Sequence, residues 1–160
     1  MKTLLLLRHA KAEWGSFNQP DAERALSERG ERQAHDIASK MKSEGLTPDF
    51  ILSSRAKRTE MTTQILIAGM DCDMQQVQWC DDLYLAEAGA LLNAVRQAND
   101  TVQILALVVH NPGVSELAQY LLNEAVHEMS TATVVAITWD IEHWSDISEG
   151  TGALRAYLRP

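Results

Sequence analysis

Short apolar runs alternate with segments of helical periodicity along nearly the whole chain. The runs at 3–7 and 104–109 are almost continuous in apolar residues, which is typical of strands buried on both faces of a sheet. Between such runs, apolar residues recur three and four positions apart, as in helices with one buried face. Alternating strands and helices favour a parallel sheet joined by right-handed crossovers. We therefore predict an α/β fold, a three-layer α/β/α sandwich with a mostly parallel central sheet.

Six strands and four helices are predicted. The strands lie at 3–7, 49–53, 77–79, 104–109, 133–139 and 153–158. Ser27 is the predicted N-cap of the first helix and Gly45 its stop, and the second helix is predicted at 56–68. An apolar face around Leu91 marks the third helix, and the fourth is predicted to start with Asn111 as its cap.

The size and charge of the chain limit what it can bind. A length of 160 residues predicts a single domain spanning 1–160. With 22 acidic against 14 basic residues the formal net charge is −8, which disfavours nucleic acid and anionic membrane as partners. No apolar run approaches the roughly 20 residues of a spanning helix, so we expect a cytoplasmic protein without a membrane partner. An anionic substrate would need a local basic pocket.

Four residues suited to phosphate chemistry follow the predicted strands. Arg8 and His9 come at the end of the first strand, and His110 directly follows the strand at 104–109. Arg58 follows the second strand, at the start of its helix. Because ligands of such sheets bind outside the carboxyl ends of the strands, these side chains are predicted to share one crevice.

Each residue type has a role if the substrate carries phosphate. Guanidinium groups offer forked donors that match phosphate oxygens. A neutral imidazole can attack phosphorus, and a second, protonated imidazole can stabilise the charge that develops on the oxygens. Backbone N–H groups at the start of the fourth helix would add a further anion site. The scheme needs no metal or other cofactor, and Cys72 and Cys80 lack the spacing of a zinc site.

Four segments, in order along the chain, resemble the signature of the histidine phosphatase superfamily and, within it, the SixA-type phosphohistidine phosphatases. The segments are LLRHAK at 6–11, D-x-x-R-x-LSERG at 21–30, SRAKR at 54–58 followed by Thr62, and VHNPG at 109–113. The closing segment is also similar, so the resemblance covers nearly the whole chain.

The resemblance implies a phosphoglycerate-mutase-like fold and a covalent phosphohistidine on His9. It also implies that Arg8, Arg58 and His110 hold the phosphate, and that water completes hydrolysis without metal or cofactor. Asn111 is included with these three residues in the predicted substrate-binding set.

Many members of the superfamily supply a glutamate as general acid, and the candidate here is Glu87. The alternative is a solvated loop carboxylate, because SixA-type members often lack this acid and phosphohistidine has a good leaving group. Two roles are open for Trp14, soon after the nucleophile segment: it can shape the mouth of the pocket, or it can pack against its loop, which is the expectation here.

Three functions remain open at this point. The first is dephosphorylation of phosphohistidine on a protein, and the second is hydrolysis of a small phosphorylated metabolite. The third is a catalytically weak regulatory module that binds phosphate. A mutase is disfavoured because it would need a firmly placed acid and a capping insertion.

Overall fold

Six strands form one sheet in the computed structural model, which describes residues 1–160. The strands are β1 (Lys2–Arg8), β2 (Phe50–Ser54), β3 (Val77–Cys80), β4 (Ile104–Val109), β5 (Val134–Trp139) and β6 (Ala153–Leu158). They lie in the order β3-β2-β4-β1-β5-β6. The pairings β1–β4, β2–β4 and β2–β3 are parallel, and β5 pairs antiparallel with both β1 and β6. The prediction of a mostly parallel sheet is confirmed.

Four helices cover the two faces of this sheet. They are α1 (Glu28–Ser43), α2 (Lys57–Gly69), α3 (Ala88–Arg96) and α4 (Gly113–Leu122). Because side chains alternate along a strand, Leu5 and Leu7 pack in a buried cluster with α1 and α2, whereas Leu4 and Leu6 pack in another with α3 and α4. The three-layer prediction is therefore confirmed. None of the helices combines the length and the hydropathy that crossing a bilayer demands.

Helix α1 begins and ends where the sequence predicts. The Ser27 hydroxyl accepts the N–H of Gly30 at 3.0 Å, which satisfies one free donor of the first turn. Ile37 and Met41 are fully buried on the predicted face. Gly45 follows the helix with φ of +70°, a left-handed conformation that glycine adopts without steric cost.

The start of α4 differs from the prediction. The helix begins at Gly113, and Pro112 occupies the cap position with no side-chain hydrogen bond. The Asn111 amide instead donates to the carbonyl of Met129 at 2.8 Å, and its oxygen accepts the Ser115 hydroxyl at 2.6 Å. The capping prediction is wrong because this amide joins α4 to the segment before β5.

Lys2 and Trp144 tie down the amino end of β1. The side chain of Lys2 is buried, and its Nζ donates to the carbonyl oxygens of Asp100 at 2.6 Å and Val102 at 3.0 Å. Trp144 lies in the largely polar stretch between β5 and β6 but is fully buried, and its indole N–H donates to the same Val102 oxygen at 3.0 Å. The opposite, carboxyl end of β1 is where the candidate site lies.

Candidate active site

A cavity of about 350 Å³ opens at the carboxyl ends of β1 and β4. Its lining includes Arg8, His9, Arg58, His110 and Asn111. The parallel pairing of β1 with β4 places the ends of the two strands side by side, and Arg58 comes from the first turn of α2. Five of the six predicted site residues thus surround one cavity.

The ring of His9 is held in one tautomer. Its Nδ1 lies 2.7 Å from the carbonyl oxygen of Ala10, an acceptor only, so Nδ1 carries the hydrogen and donates it. Nε2 therefore keeps its lone pair. Burial lowers the pKa of His9 to about 4, and the positive charges of Arg58 and Arg8 add to this effect. The ring is neutral near pH 7 and can act as a nucleophile.

Helix α2 holds the backbone that follows His9. The N–H of Ala10 donates to the Thr62 hydroxyl oxygen at 3.1 Å, and this hydroxyl donates to the carbonyl of Arg58 at 2.7 Å. One threonine therefore connects the segment after His9 to the helical turn that carries Arg58.

His110 lines the cavity and keeps one ring nitrogen without a partner. Its Nε2 lies 2.8 Å from the Ser54 hydroxyl oxygen, while its buried Nδ1 has no hydrogen-bond partner. Ser54 Oγ already accepts the N–H of Ala56 at 3.3 Å, so its hydrogen is free to donate to Nε2. That bond favours the tautomer with the hydrogen on Nδ1. Burial, followed by the nearby His9, lowers the pKa of His110 to about 3.

The two arginines are anchored differently. Arg58 is buried, and its Nη1 and Nη2 donate to the backbone oxygen and the carboxylate of Asp21, each at 2.9 Å. Arg8 donates from Nη1 to the carbonyl of Met129 at 2.9 Å, while its buried Nε has no partner. Burial lowers the pKa of Arg8. Each guanidinium has five N–H donors, so both keep donors for an anion.

Only two buried side-chain polar atoms of the molecule lack a hydrogen-bond partner, Arg8 Nε and His110 Nδ1. Both belong to residues that line this cavity. Buried polar groups are nearly always paired, and leaving one unpaired destabilises a fold by roughly 1–3 kcal/mol. Arg8 and His110 therefore each keep a polar nitrogen that no group of the protein uses.

Asp21 lines the cavity and Tyr84, outside the lining, contacts Asp21, and neither has a role predicted from the sequence. The Asp21 carboxylate accepts from Arg58, from Arg24 at 2.9 Å and from the Tyr84 hydroxyl. The Tyr84 bond, with those of the arginines, holds the pKa of Asp21 far below its usual range. The Tyr84 ring meets that of His110 edge-on at 5.4 Å between centroids. The D-x-x-R pattern at 21–24 is the sequence signal that pointed to Asp21.

Two other predicted features lie outside the cavity. Glu87 is an exposed residue that precedes α3 and is not part of the lining.

The lining also includes no residue of α4. Gly113 is buried against the backbone of Ala86, so closely that a Cβ would collide with the Ala86 carbonyl oxygen. The anion site predicted at the amino end of α4 therefore lies outside this lining and stays a prediction. No group of three or more His, Cys, Asp or Glu side chains is arranged to hold a metal.

Comparison with known proteins identifies relatives of this arrangement. The model of the histidine phosphatase superfamily (branch 1) matches residues 4–84. A chloroplastic protein of Arabidopsis thaliana is 30% identical over 133 residues, which are 78% of this chain and 61% of the relative. A Cronobacter sakazakii protein assigned as phosphoglycerate mutase GpmB is 34% identical over 76 residues, covering 46% of this chain and 34% of the relative. The chain thus spans less than two thirds of either relative.

A solved structure matches over the full length. The SixA protein of Agrobacterium tumefaciens, assigned as a phosphohistidine phosphatase, is 26% identical with a TM-score of 0.85. The match covers 99% of this chain and 98% of that protein. With the family model matching its first half and this neighbour matching its entire fold, the chain belongs to the histidine phosphatase superfamily.

Proposed function

We propose that the protein is a phosphohistidine phosphatase that acts on phosphorylated protein and carries the phosphoryl group on His9. Membership of the superfamily and the SixA neighbour support a phosphatase. The observation that carries the proposal is that Arg8 and His110, each with an unpaired buried nitrogen, line one cavity with the neutral imidazole of His9. Together they form a site for an anion with a nucleophile inside it.

The reaction has two displacements at phosphorus. In the first, the Nε2 lone pair of His9 forms a bond to phosphorus, and the bond to the substrate imidazole breaks with its electron pair leaving on that nitrogen. The carbonyl of Ala10 accepts the Nδ1–H of His9 at 2.7 Å and so stabilises the positive charge that the ring gains. In the second, water attacks phosphorus, and the bond between phosphorus and Nε2 breaks with its electron pair returning to Nε2. Inorganic phosphate leaves, and the proton of the attacking water passes to solvent.

The surrounding donors stabilise the charge on the transferring group. Arg58, fixed by its two bonds to Asp21, offers its remaining N–H groups. Arg8 Nε and His110 Nδ1 offer the two unpaired donors. Donors fixed in advance cost no reorganisation at the transition state, and each is worth roughly a hundredfold in rate.

The leaving group favours phosphohistidine over a phosphomonoester. An alkoxide leaving group needs a general acid, whereas a protonated phosphohistidine ring leaves as neutral imidazole. The predicted acid, Glu87, lies outside the cavity lining, and Asp21 is held ionised by its three donors. A small phosphorylated metabolite is the second candidate substrate, favoured by the similarity to proteins assigned as phosphoglycerate mutases.

Phosphate release tests the proposal. The substrates are a phosphotransfer domain phosphorylated on histidine and the alkyl ester glycerol 3-phosphate, each with a metal chelator present. We expect fast release from phosphohistidine, slow release from the ester and no release by His9→Ala. The control variant His35→Ala removes an exposed histidine of α1 and should match the wild type. Faster release from the ester would favour the metabolite phosphatase, and no release from either would favour a binding module.

A further inference from the structure

Two large aromatic side chains project into solvent from the segment that follows the nucleophile. Trp14 is 91% exposed and Phe17 is fully exposed. The expectation that Trp14 packs against its own loop is therefore wrong. Exposed aromatic side chains are frequent anchors of interfaces, because a partner that covers them removes a large apolar surface from water. We call Trp14 and Phe17 the aromatic rim.

The loop that carries the aromatic rim is fastened at both ends. Glu13 donates its N–H to the carbonyl of Ala25 at 2.9 Å and accepts Arg24 Nε on its own carbonyl at 2.7 Å. Gln19 accepts the N–H of Ser16 at 3.2 Å and donates to the backbone beyond. The loop is held in place before any partner arrives, so binding to the rim requires little further ordering.

The Trp14 end of the aromatic rim adjoins the catalytic cavity. Lys11 and Ala12 line that cavity and also line a neighbouring depression that extends to Trp14. Trp14 comes five residues after His9, and five residues of chain span at most roughly 18 Å. Arg24 links the two regions, since it lines the cavity and holds the carbonyl of Glu13.

We infer that the aromatic rim is a docking surface for the protein that carries the phosphohistidine; this inference rests on the proposed function. A phosphorylated side chain that enters the cavity brings the surface around it onto the rim. A free phosphorylated amino acid fits within about 350 Å³ and leaves the rim uncovered.

Two other occupants fit the surroundings less well. Lys11 and Ala12 line both the cavity and the depression next to Trp14. A second copy of this chain bound to the rim would therefore obstruct the access of substrate to the cavity. An anionic membrane would be repelled by a chain of net charge −8. The phosphorylated protein is attracted instead by the local positive charge of Arg8, Arg24 and Arg58 at the cavity.

The test compares two substrates with the same leaving group. One is a phosphotransfer domain phosphorylated on histidine, and the other is free phosphohistidine. For the double variant Trp14→Ala/Phe17→Ala we expect kcat/KM on the domain to fall by roughly tenfold or more, chiefly through KM. Activity on free phosphohistidine should stay within about twofold of wild type, because the cavity residues are untouched. Tyr120→Ala, which removes a partly exposed aromatic of α4 away from the cavity, should change neither.

Several results would overturn the inference. Equal losses on both substrates would mean that the loop shapes the cavity, and no loss on either would mean that the rim is not used. A dimer in size-exclusion chromatography that the double variant abolishes without a change in kinetics would assign the rim to a second copy. Binding to phospholipid vesicles that the double variant abolishes would assign it to a membrane. A wild type inactive on both phosphohistidine substrates would overturn the proposed function itself, and this inference with it.

Discussion

The pair formed by Ser54 and His110 shows how one hydroxyl can decide what an imidazole does. Ser54 is fully buried, and its oxygen lies 2.8 Å from Nε2 of His110. Donation to Nε2 leaves the hydrogen on Nδ1, which is the nitrogen without a partner at the cavity. Under the proposed function, Ser54 is therefore a positioning residue that keeps a donor on His110 for the phosphate.

Replacing Ser54 by alanine tests this role. Without the hydroxyl, the hydrogen of His110 can move to Nε2, and the donor toward phosphate is lost from Nδ1. We expect Ser54→Ala to lower kcat by roughly tenfold. It should also lower the free energy of unfolding by about 1–3 kcal/mol, because the Ala56 N–H loses its buried acceptor. Nitrogen NMR of His110 should show the Nδ1–H tautomer in the wild type and a mixture in Ser54→Ala, while Ser54→Thr retains the wild-type state. Identical tautomers in all three proteins would refute the role.

The sequence is sufficient to predict Arg8, His9 and His110, which end or directly follow a strand, and Arg58, which lies in the first turn of the helix after one. It gave no role to Tyr84, which meets the site only through contacts with Asp21 and His110. These partners are 63 and 26 positions away, so no local pattern could indicate them.

At the level of elements, the close approach of α1 to the segment after His9 positions Lys11, which lines the cavity. The carbonyl of Lys11 accepts the N–H of Ser27 at 3.0 Å and its hydroxyl at 3.2 Å. Gly30 lies so close that a Cβ would collide with this same carbonyl. A side chain at position 30 must push α1 away from the segment that carries the nucleophile.

We expect Gly30→Ala to lower the free energy of unfolding by about 1–3 kcal/mol and to reduce activity as Lys11 shifts. The matched control is Gly89→Ala in α3, where a Cβ would meet nothing within 4 Å. That substitution should raise stability by about 0.5–1 kcal/mol, since alanine favours a helix more than glycine does. Urea unfolding measures both, and equal effects of the two variants would contradict this account.

Apolar patterns predict α1, α3 and α4, because each of these helices buries one apolar face, and they predict β1 and β4 as continuous apolar runs. The start of α4 was nevertheless missed. Asn111 is a good capping residue in isolation, but its amide is used by Met129 and Ser115. Tertiary contacts decided between two hydrogen-bonding options that the local sequence leaves equal.

For the whole molecule, the strand order was beyond prediction from sequence. The placement of β1 between β4 and β5 depends on pairings between strands about 100 or more residues apart in the chain. This central position buries both faces of β1 and with it His9 at its end. The fold therefore removes two histidines from water, and its stability depends on pH as a result.

The sign of this dependence follows from the lowered pKa values. The unfolded chain binds protons on these histidines below about 6.5, whereas the folded protein does so only near 4 for His9 and near 3 for His110. Stability from His9 is therefore present above pH 6.5 and is lost as the pH falls toward 4.

We expect the free energy of unfolding to fall between pH 7 and pH 4.5, and to fall less in His9→Asn. Urea unfolding at several pH values measures the difference, which isolates His9 from the carboxylates that titrate in the same range. Parallel pH profiles of wild type and variant would show that His9 is not held neutral by the fold.

The central claim is that His9 carries the phosphoryl group on Nε2. Rapid quenching of the enzyme during turnover of a phosphohistidine substrate, followed by peptide mass spectrometry and phosphorus NMR, tests it directly. The account predicts an acid-labile phosphoryl group on His9, bonded to Nε2, that forms and decays at rates compatible with turnover. Phosphate on another residue, attachment through Nδ1, or turnover with no phosphorylated enzyme would contradict it.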